Sequence, residues 1–460
     1  MESLQQANAK FADLETPRKE AAICKKAFNE LSSAITASPA LAKSLIQFES
    51  SCLSLNNDSK RFLQKWKRDL HHGGAFLERK DRHKFSELTE NIQEAEAQYL
   101  DNISDDKMKL KLTADELQGV PSDYLALHPP DLITGRVILS LNRDDLLPLL
   151  QFCQLQTTRK NAFLFLCSAA ALTNGPVLKR LLQLRGEKAR LLGYQNWAEY
   201  QLESTMMQSV GNANRFLEIV HEAVTNRAHR EKEQIVGLLK RKDNVTAGPW
   251  DFSGYGDNLL KSDLLEGFDP NTAHQYFQVK MVIPALLRIM ENLFCLRFEE
   301  FAGIEAWHPT VFTRQVQDIA DVTVFPDVKY QIADARIVLL GRIFFDLYSR
   351  EGKPDGCSAL TVRAFVPGKQ RAEVILCANL SRDSSACMSY SEVQTLWREF
   401  GNCVHALVAP HQYVRFSGRK ECQPEVAELQ GRLTELWLTD HRFYDFAINA
   451  RGKPIPRDLL

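Results

Sequence analysis

Apolar residues recur at intervals of three and four over much of the chain, which is the period of an amphipathic α-helix. The clearest stretch is 81–100, where five apolar side chains form one stripe: Phe85, Leu88, Ile92, Ala95 and Tyr99. Successive helices are predicted from about 17 to 110. More are predicted at about 143–172, 176–194, 209–241 and 271–294. The pattern therefore predicts a mostly α-helical fold.

Strand-like segments appear only late in the chain. Residues 335–348 are rich in β-branched and aromatic side chains, and the segments ALTVRAFV and AEVILCANL flank a turn that opens with Pro367. Two further helices are predicted after them, at about 391–408 and 422–448. We expect one small β-sheet beside the first of these helices.

Composition indicates a chain with a buried core, since 44% of its 460 residues are hydrophobic and 25% are charged. The 57 Lys and Arg residues nearly balance the 58 Asp and Glu residues, so no basic field favours nucleic acid. No run of 18 apolar residues predicts a membrane span. The N-terminus has the pattern of neither a signal peptide nor a transit peptide. Ten scattered cysteines without a Cys-x-x-Cys pair are typical of reduced thiols, so we expect an intracellular, cytoplasmic protein.

Residues 395–407, TLWREFGNCVHAL, have the outline of a zinc-protease helix. Such a helix carries His-Glu-x-x-His, because positions i and i+4 share one face and two imidazoles there bind one Zn²⁺. The glutamate beside the first histidine takes a proton from the metal-bound water. This chain has different residues at both histidine positions, since the motif reads Arg398, Glu399, Phe400, Gly401 and Asn402.

Longer segments around this helix resemble the thimet oligopeptidase and mitochondrial intermediate peptidase family of zinc metallopeptidases. YSEVQTLWREFGNCVHAL is similar to the family's active-site helix. Residues 417–437 are similar to the segment that supplies the third zinc ligand, with Glu428 at the ligand position, and Cys422 is closer to the mitochondrial branch. Upstream segments are similar in the family's order: residues 184–209, GPWDFSGY, LFCLRFEE, WHPTVF and LLGRIFFDLYSREGK.

The resemblance implies an elongated, zincin-like oligopeptidase fold with a deep cleft and a small sheet beside the active-site helix. It implies an N-terminal helical region over 1–160 and a metallopeptidase catalytic-like domain over 161–460. That domain is expected to be incomplete at its C-terminal end, because the family continues into further helices after the position of Leu460. Helix 422–448 should then expose apolar surface, which favours self-association or a protein partner. By the same resemblance, a mitochondrial location is compatible with the chain.

The substituted side chains do not suit zinc. The Arg398 guanidinium has no acceptor and stays protonated. At 4 Å and an effective dielectric constant of about 20, its repulsion of Zn²⁺ costs roughly 8 kcal/mol. Asn402 offers only an amide oxygen, a poor zinc ligand beside imidazole. We therefore expect no bound zinc, and a Glu399 at the general-base position without an activated water to deprotonate.

The sequence leaves several arrangements of these residues open. A substitute metal site would use Asn402, His405 and Glu428, together with a His411 ligand from the following loop; His405 would equally serve in packing. In another arrangement, Arg398 pairs with Glu428 and Glu399 and replaces the metal as the cation between two helices. In the remaining one, Arg398 faces solvent at the edge of an open cleft.

The sequence thus predicts an inactive or severely impaired relative of the zinc oligopeptidases that binds peptides or a protein partner in its cleft. The alternative is an active metalloendopeptidase that cleaves short peptides with a non-standard metal site. A third hypothesis is that the chain is a fragment of a longer gene product and has no function of its own. Neither nucleic acid nor membrane is expected as a partner. Restoring both histidines (Arg398→His with Asn402→His) is expected to recover zinc binding on an intact scaffold.

Overall fold

The chain forms two compact units. Unit 1 comprises Met1–Ala75 and Asp269–Leu460, and unit 2 comprises Phe76–Phe268. The boundary expected at residue 160 lies inside unit 2 and stays a prediction. The structure is a computed structural model, and it describes residues 15–51, 54–141, 143–242, 244–256, 258–260, 275–301, 306–318, 338–350, 353, 356–366, 368–382, 386–409, 411–419, 422–440, 444, 447–449 and 451–456.

Unit 1 begins with three helices, as the periodicity predicts: α1 (Glu15–Thr36), α2 (Pro39–Ser51) and α3 (Asn57–His72). The Asn56 side chain caps α3 by accepting a hydrogen bond from the Ser59 N–H. At the other end of α3, a Cβ on Gly73 would lie 2.3 Å from the Thr36 carbonyl oxygen. Glycine therefore allows the ends of α1 and α3 to meet.

Unit 2 is helical, with one antiparallel pair of short strands that the sequence did not predict. Its stripe of apolar residues in 81–100 is confirmed, because Ile92 and Ala95 are buried against Val177 and Leu181. In chain order the elements are α4 (Arg79–Ser104), β1 (Lys109–Leu112), α5 (Ser122–Leu127), β2 (Val137–Ser140), α6 (Arg143–Phe152), α7 (Gln156–Cys167), α8 (Ala171–Leu191), α9 (Trp197–Leu202) and α10 (Val210–Lys242). No single described helix is long and apolar enough to cross a membrane, although the bent pair α7 and α8 meets that test jointly.

The segment GPWDFSGY has a structural role in unit 2. Its Asp251 is fully buried and accepts a hydrogen bond of 2.8 Å from the Nε of Arg159 in α7. The Gly248 N–H donates to the other carboxylate oxygen at 2.8 Å. The Tyr255 ring covers the guanidinium, with 3.9 Å between the Arg159 Cζ and the ring centroid. A paired and hydrogen-bonded charge of this kind can be buried without a ligand.

The C-terminal part of unit 1 contains the expected small sheet. Its strand order is β3-β4-β5-β7-β6, with β5 and β7 parallel and the other neighbours antiparallel. Residues 335–337 and Pro367 of the predicted strands and turn lie outside the described residues. The elements are α11 (Val279–Phe294), β3 (Leu296–Glu300), β4 (Phe312–Asp318), β5 (Val338–Tyr348), β6 (Ser358–Arg363), β7 (Ala372–Leu380), α12 (Tyr390–Val408) and α13 (Pro424–Leu436).

Helix α13 is shorter than the predicted helix at 422–448. It ends at Leu436 and continues only as a 3₁₀ turn over Trp437–Thr439. Beyond it, Ile448 forms a β-bridge with Pro454, and Ala447 is fully buried in the core of unit 1. Of the described apolar residues in the predicted extension, Leu438, Tyr444 and Ala447 are buried in this core.

Helix α12 lies on the sheet. Ser389 and Glu392 form a capping box at its N-terminus. Its fully buried residues Trp397 and Phe400 belong to the main core, and the Phe400 ring lies 6.0 Å from the ring of Phe345 in β5. This packing fixes the orientation of α12 and of the polar residues next to Phe400.

A buried carboxylate strengthens the same sheet. Asp346 of β5 accepts hydrogen bonds from Arg350 at 2.6 and 2.9 Å, from the Lys353 Nζ at 2.9 Å and from the Trp307 ring at 3.1 Å. Burial alone would raise the pKa of Asp346, but these donors outweigh it and lower the pKa. Two of the family-like segments, WHPTVF and LLGRIFFDLYSREGK, meet at this carboxylate.

Candidate functional site

Helices α12 and α13 approach closely at two glycines, one on each helix. A Cβ on Gly401 would lie 2.2 Å from the Thr434 hydroxyl oxygen. A Cβ on Gly431 would lie 2.6 Å from the Asn402 Oδ1 and 2.9 Å from the Arg398 carbonyl oxygen. Since none of these three distances leaves room for a side chain, glycine at both positions allows the contact.

The Arg398 side chain connects the two helices. Its Nε lies 3.5 Å from the Glu399 Oε1, and its Nη1 lies 3.6 Å from the Oε2 of Glu435 in α13. The Arg398 side chain is 24% exposed and its guanidinium lies between two carboxylates, so it does not point freely into solvent. The expected pair with Glu399 is confirmed, but the expected pair with Glu428 is wrong. Glu435 takes that place because it lies seven residues later, on the same face of α13.

The Glu399 carboxylate has partners on three sides. Its Oε2 accepts a hydrogen bond of 3.0 Å from the Ala359 N–H of strand β6 and one of 3.3 Å from the Asn402 Nδ2. Its Oε1 faces Arg398. Contacts from three residues therefore fix the orientation of the Glu399 carboxylate.

Asn402 is buried between the helices and is only 1% exposed. Its amide nitrogen donates to Glu399, which directs its Oδ1 towards Gly431. Among the described residues, this oxygen has no hydrogen-bond partner. The Asn402 side chain is therefore packed against the backbone of α13.

Glu428 and His405 both lie near Arg419, a residue that the sequence did not single out. The Arg419 Nη2 lies 3.1 Å from the Glu428 Oε1, and Glu428 is 54% exposed. Burial, and then the charge of Arg419, lower the pKa of His405 from 6.5. Its Nδ1 is buried without a hydrogen-bond partner in the described part of the chain. A metal ion held by His405 and Glu428 would therefore stand beside a fixed positive charge.

The His411 side chain lies next to helix α3 and has a neighbour at each ring nitrogen. Its Nδ1 accepts a hydrogen bond of 3.1 Å from the Tyr413 N–H, and its Nε2 lies 3.7 Å from the Asp58 Oδ2. The Tyr413 ring stacks on Phe62 at 4.2 Å, and its hydroxyl lies 2.7 Å from the Ser59 hydroxyl. Helix α3 thus holds the loop that joins α12 to α13, and both ring nitrogens of His411 have other neighbours.

The half-buried thiol of Cys357 and the buried thiol of Cys403 lie within reach of the Glu399 charge. Burial, and then Glu399, raise the pKa of Cys357 to about 12. The same two causes raise the pKa of Cys403 well above 9.0. Both thiols are therefore protonated at neutral pH.

The chemistry of these residues does not fit a zinc ion. Two guanidinium groups face the carboxylates, and the one partnerless amide oxygen lies against a glycine backbone. Within the described ranges, no group of three His, Cys, Asp or Glu side chains could hold a metal.

Sequence reasoning missed three residues that shape the site. Glu435 was detectable, because a spacing of seven from Glu428 places both on one helix face. Arg419 lies in a loop, where periodicity gives no orientation. The Ala359 N–H donates through the backbone, and no side-chain pattern reports it.

Comparison with known proteins gives consistent matches. The family model described as Peptidase family M3 matches residues 149–460. The chain is 26% identical over 458 residues to the thimet-like oligopeptidase of Dictyostelium discoideum, covering 91% of this chain and 64% of that protein. It is 28% identical over 393 residues to the probable thimet oligopeptidase of Arabidopsis thaliana, covering 84% of this chain and 52% of that protein. For the mitochondrial intermediate peptidase of Arabidopsis thaliana the identity is 25% over 445 residues, covering 88% and 59%.

The chain thus spans 64%, 52% and 59% of the lengths of these three relatives. Among solved structures, a putative oligoendopeptidase F from Bacillus anthracis str. Ames matches with a TM-score of 0.40 and 11% identity. That match covers 98% of this chain and 71% of the other.

Proposed function

The chain belongs to peptidase family M3, and from that membership we propose that it binds peptides without hydrolysing them. Its relatives are metallo-oligopeptidases, so peptides are the ligand class that the family favours. One observation carries the proposal: Arg398 stands at the first histidine position and pairs with Glu399 and Glu435. In this proposal no zinc ion is bound, and no water is activated for attack on a peptide bond.

The position of strand β6 supports peptide binding. It is an edge strand of the described sheet and pairs only with β7 there. The Ala359 N–H donates to Glu399, so it points away from β7. Alternate residues of a strand direct their backbone groups to the same side, and Thr361 therefore presents its groups along the same edge. An extended peptide adds to such an edge through main-chain hydrogen bonds.

We propose intracellular peptides as the ligands, or an extended segment of a protein partner that binds the same edge. An intracellular setting is compatible with relatives such as the mitochondrial intermediate peptidase. Fluorescence imaging of a tagged chain in cells would distinguish a cytosolic from a mitochondrial location.

Turnover and metal content test the absence of hydrolysis. We expect purified chain to contain far less than one zinc ion per molecule by elemental analysis. Incubation with quenched fluorescent peptides should give no cleavage above the buffer rate, with or without added zinc. Stoichiometric zinc together with chelator-sensitive cleavage would show an active metalloendopeptidase and refute the proposal.

Peptide binding is tested by fluorescence anisotropy with the same peptides, carrying a single dye. We expect saturable binding that Thr361→Pro weakens about tenfold, because proline removes one edge N–H donor. The matched control is Thr361→Val, which keeps the backbone donor and should bind like the unaltered chain. Absence of binding to the unaltered chain, or equal binding by both variants, would count against the edge of β6 as the site.

A further inference from the structure

We infer that the contact between α12 and α13 is a metal-free cross-link, in which the Arg398 guanidinium takes the place of a metal ion. The inference rests on the proposed function, since it requires a chain without a zinc centre. It concerns what holds the two helices together, and it predicts that the two restored histidines do not recover a zinc site.

The carboxylates of α13 carry the first part of this inference. Glu428 and Glu435 lie two turns apart on one face, and each faces an arginine. Arg419 lies 3.1 Å from Glu428, and Arg398 lies 3.6 Å from Glu435. Arg432 of the same helix adds a contact of 3.0 Å to Glu435. The Arg398 guanidinium stays protonated and lies at ion-pair distance from Glu399 and Glu435 at once, which suits it to this role.

Space at the contact carries the second part. A zinc site needs ligands on both sides of the ion at about 2.0–2.2 Å. Here the Asn402 Oδ1 lies 2.6 Å from the position that a Cβ on Gly431 would take. The Thr434 hydroxyl oxygen lies 2.2 Å from the position that a Cβ on Gly401 would take. The helices therefore meet directly, and an imidazole at position 402 would be larger than the carboxamide that already fills the contact.

Charge carries the third part. Arg419 faces Glu428 and, together with burial, lowers the pKa of His405. Replacement of Arg398 alone thus leaves a second fixed cation next to the third-ligand position. This changes the expectation drawn from the sequence, in which two restored histidines recover zinc.

A double-mutant cycle tests the cross-link in the full chain. Arg398→Met and Glu435→Gln should each lower the unfolding temperature by about 2 °C. The double variant should lose less than the sum of the two single losses, because both changes break the pair between Arg398 and Glu435. The matched control combines Arg398→Met with Glu428→Gln, whose effects should add. Additive losses for Arg398 and Glu435 would overturn the cross-link.

A zinc titration of the Arg398→His/Asn402→His variant tests the closed contact. We expect less than 0.1 zinc per chain after dialysis, and no rise in unfolding temperature on adding zinc, in a variant whose circular dichroism matches the unaltered chain. Stoichiometric zinc in this variant alone would overturn the closed contact and leave the proposed function intact. Zinc in the unaltered chain would refute the proposed function itself. If the variant does not fold, the double-mutant cycle decides.

Discussion

Arg419 acts on two neighbours that lie on different elements. It pairs with Glu428 of α13, and its charge reaches His405 of α12. Burial and this charge both favour the neutral imidazole, so the pKa of His405 lies below its ordinary value of 6.5. His405 is therefore a source of pH sensitivity at the candidate site.

The sign of this sensitivity follows from proton binding. Below pH 6.5 the unfolded chain binds a proton at residue 405 while the folded chain does not, until the pH reaches the lower folded pKa. Stability should therefore fall as the pH falls through that window. When the pH is lowered from 7.5 to 5.5, we expect the unfolding temperature of the unaltered chain to fall by more than that of the His405→Gln variant.

The variant Arg419→Gln serves as the control for this prediction. Without the guanidinium, only burial lowers the pKa of His405, so its pH-dependent loss should lie between those of the other two chains. Equal losses in all three, measured by differential scanning fluorimetry, would contradict the role given to His405.

Helices α12 and α13 depend on a glycine at each side of their contact. Gly431 lies against Asn402 and Arg398, and Gly401 lies against Thr434. In a close-packed contact one added methyl group forces side chains or backbone to shift. This explains why a good helix former is missing from both positions.

We predict that Gly431→Ala destabilises the chain by about 1–3 kcal/mol, the usual cost of overpacking a filled contact. The matched control is Gly237→Ala in α10, where no atom lies within 4 Å of the added Cβ. That change should stabilise by up to about 1 kcal/mol, because alanine is the better helix former. Urea unfolding followed by circular dichroism measures both, and equal effects would show that the contact is looser than described.

Periodicity predicted elements well and contacts between them poorly. The start and end of α12 agree with the sequence to within one residue, because a long amphipathic pattern meets a capping box at Ser389. The end of α13 was missed, since apolar residues continue past Leu436 although the chain leaves the helix. Of the Arg398 partners, Glu399 was predicted and Glu435 was not, because two glutamates share one face of α13. How closely α12 and α13 approach each other at Gly431 depends on the packing of the two helices, which a pattern along the sequence does not report.

The apolar face of α13 is exposed in the described part of the molecule, as the sequence led us to expect. It borders a groove of about 560 Å³ that includes Leu293 and Thr434. Its five large side chains are between 38% and 59% exposed: Val426, Leu429, Leu433, Leu436 and Trp437. An apolar stripe of this size promotes association of molecules in solution.

We predict that the purified chain self-associates with rising concentration, measured by sedimentation velocity. Leu429→Lys combined with Leu436→Lys should shift the distribution towards monomer, because it places two charges in the stripe. The control Leu182→Lys changes a leucine of α8 that is 59% exposed outside the stripe, and it should leave the distribution unchanged. A monomer at all concentrations would contradict this prediction.

The contact between α3 and the loop after α12 has a consequence for synthesis of the chain. Ser59 and Tyr413 touch although 354 positions separate them, and the whole of unit 2 lies between. At roughly 5–20 residues per second, a ribosome needs about 20–70 s to make the second partner after the first. During that interval Phe62 has no Tyr413 to stack on, while Phe76–Phe268 is already available to fold as a continuous segment. Helix α3 thus gains its partners in the loop after α12 only when all of unit 2 has been made.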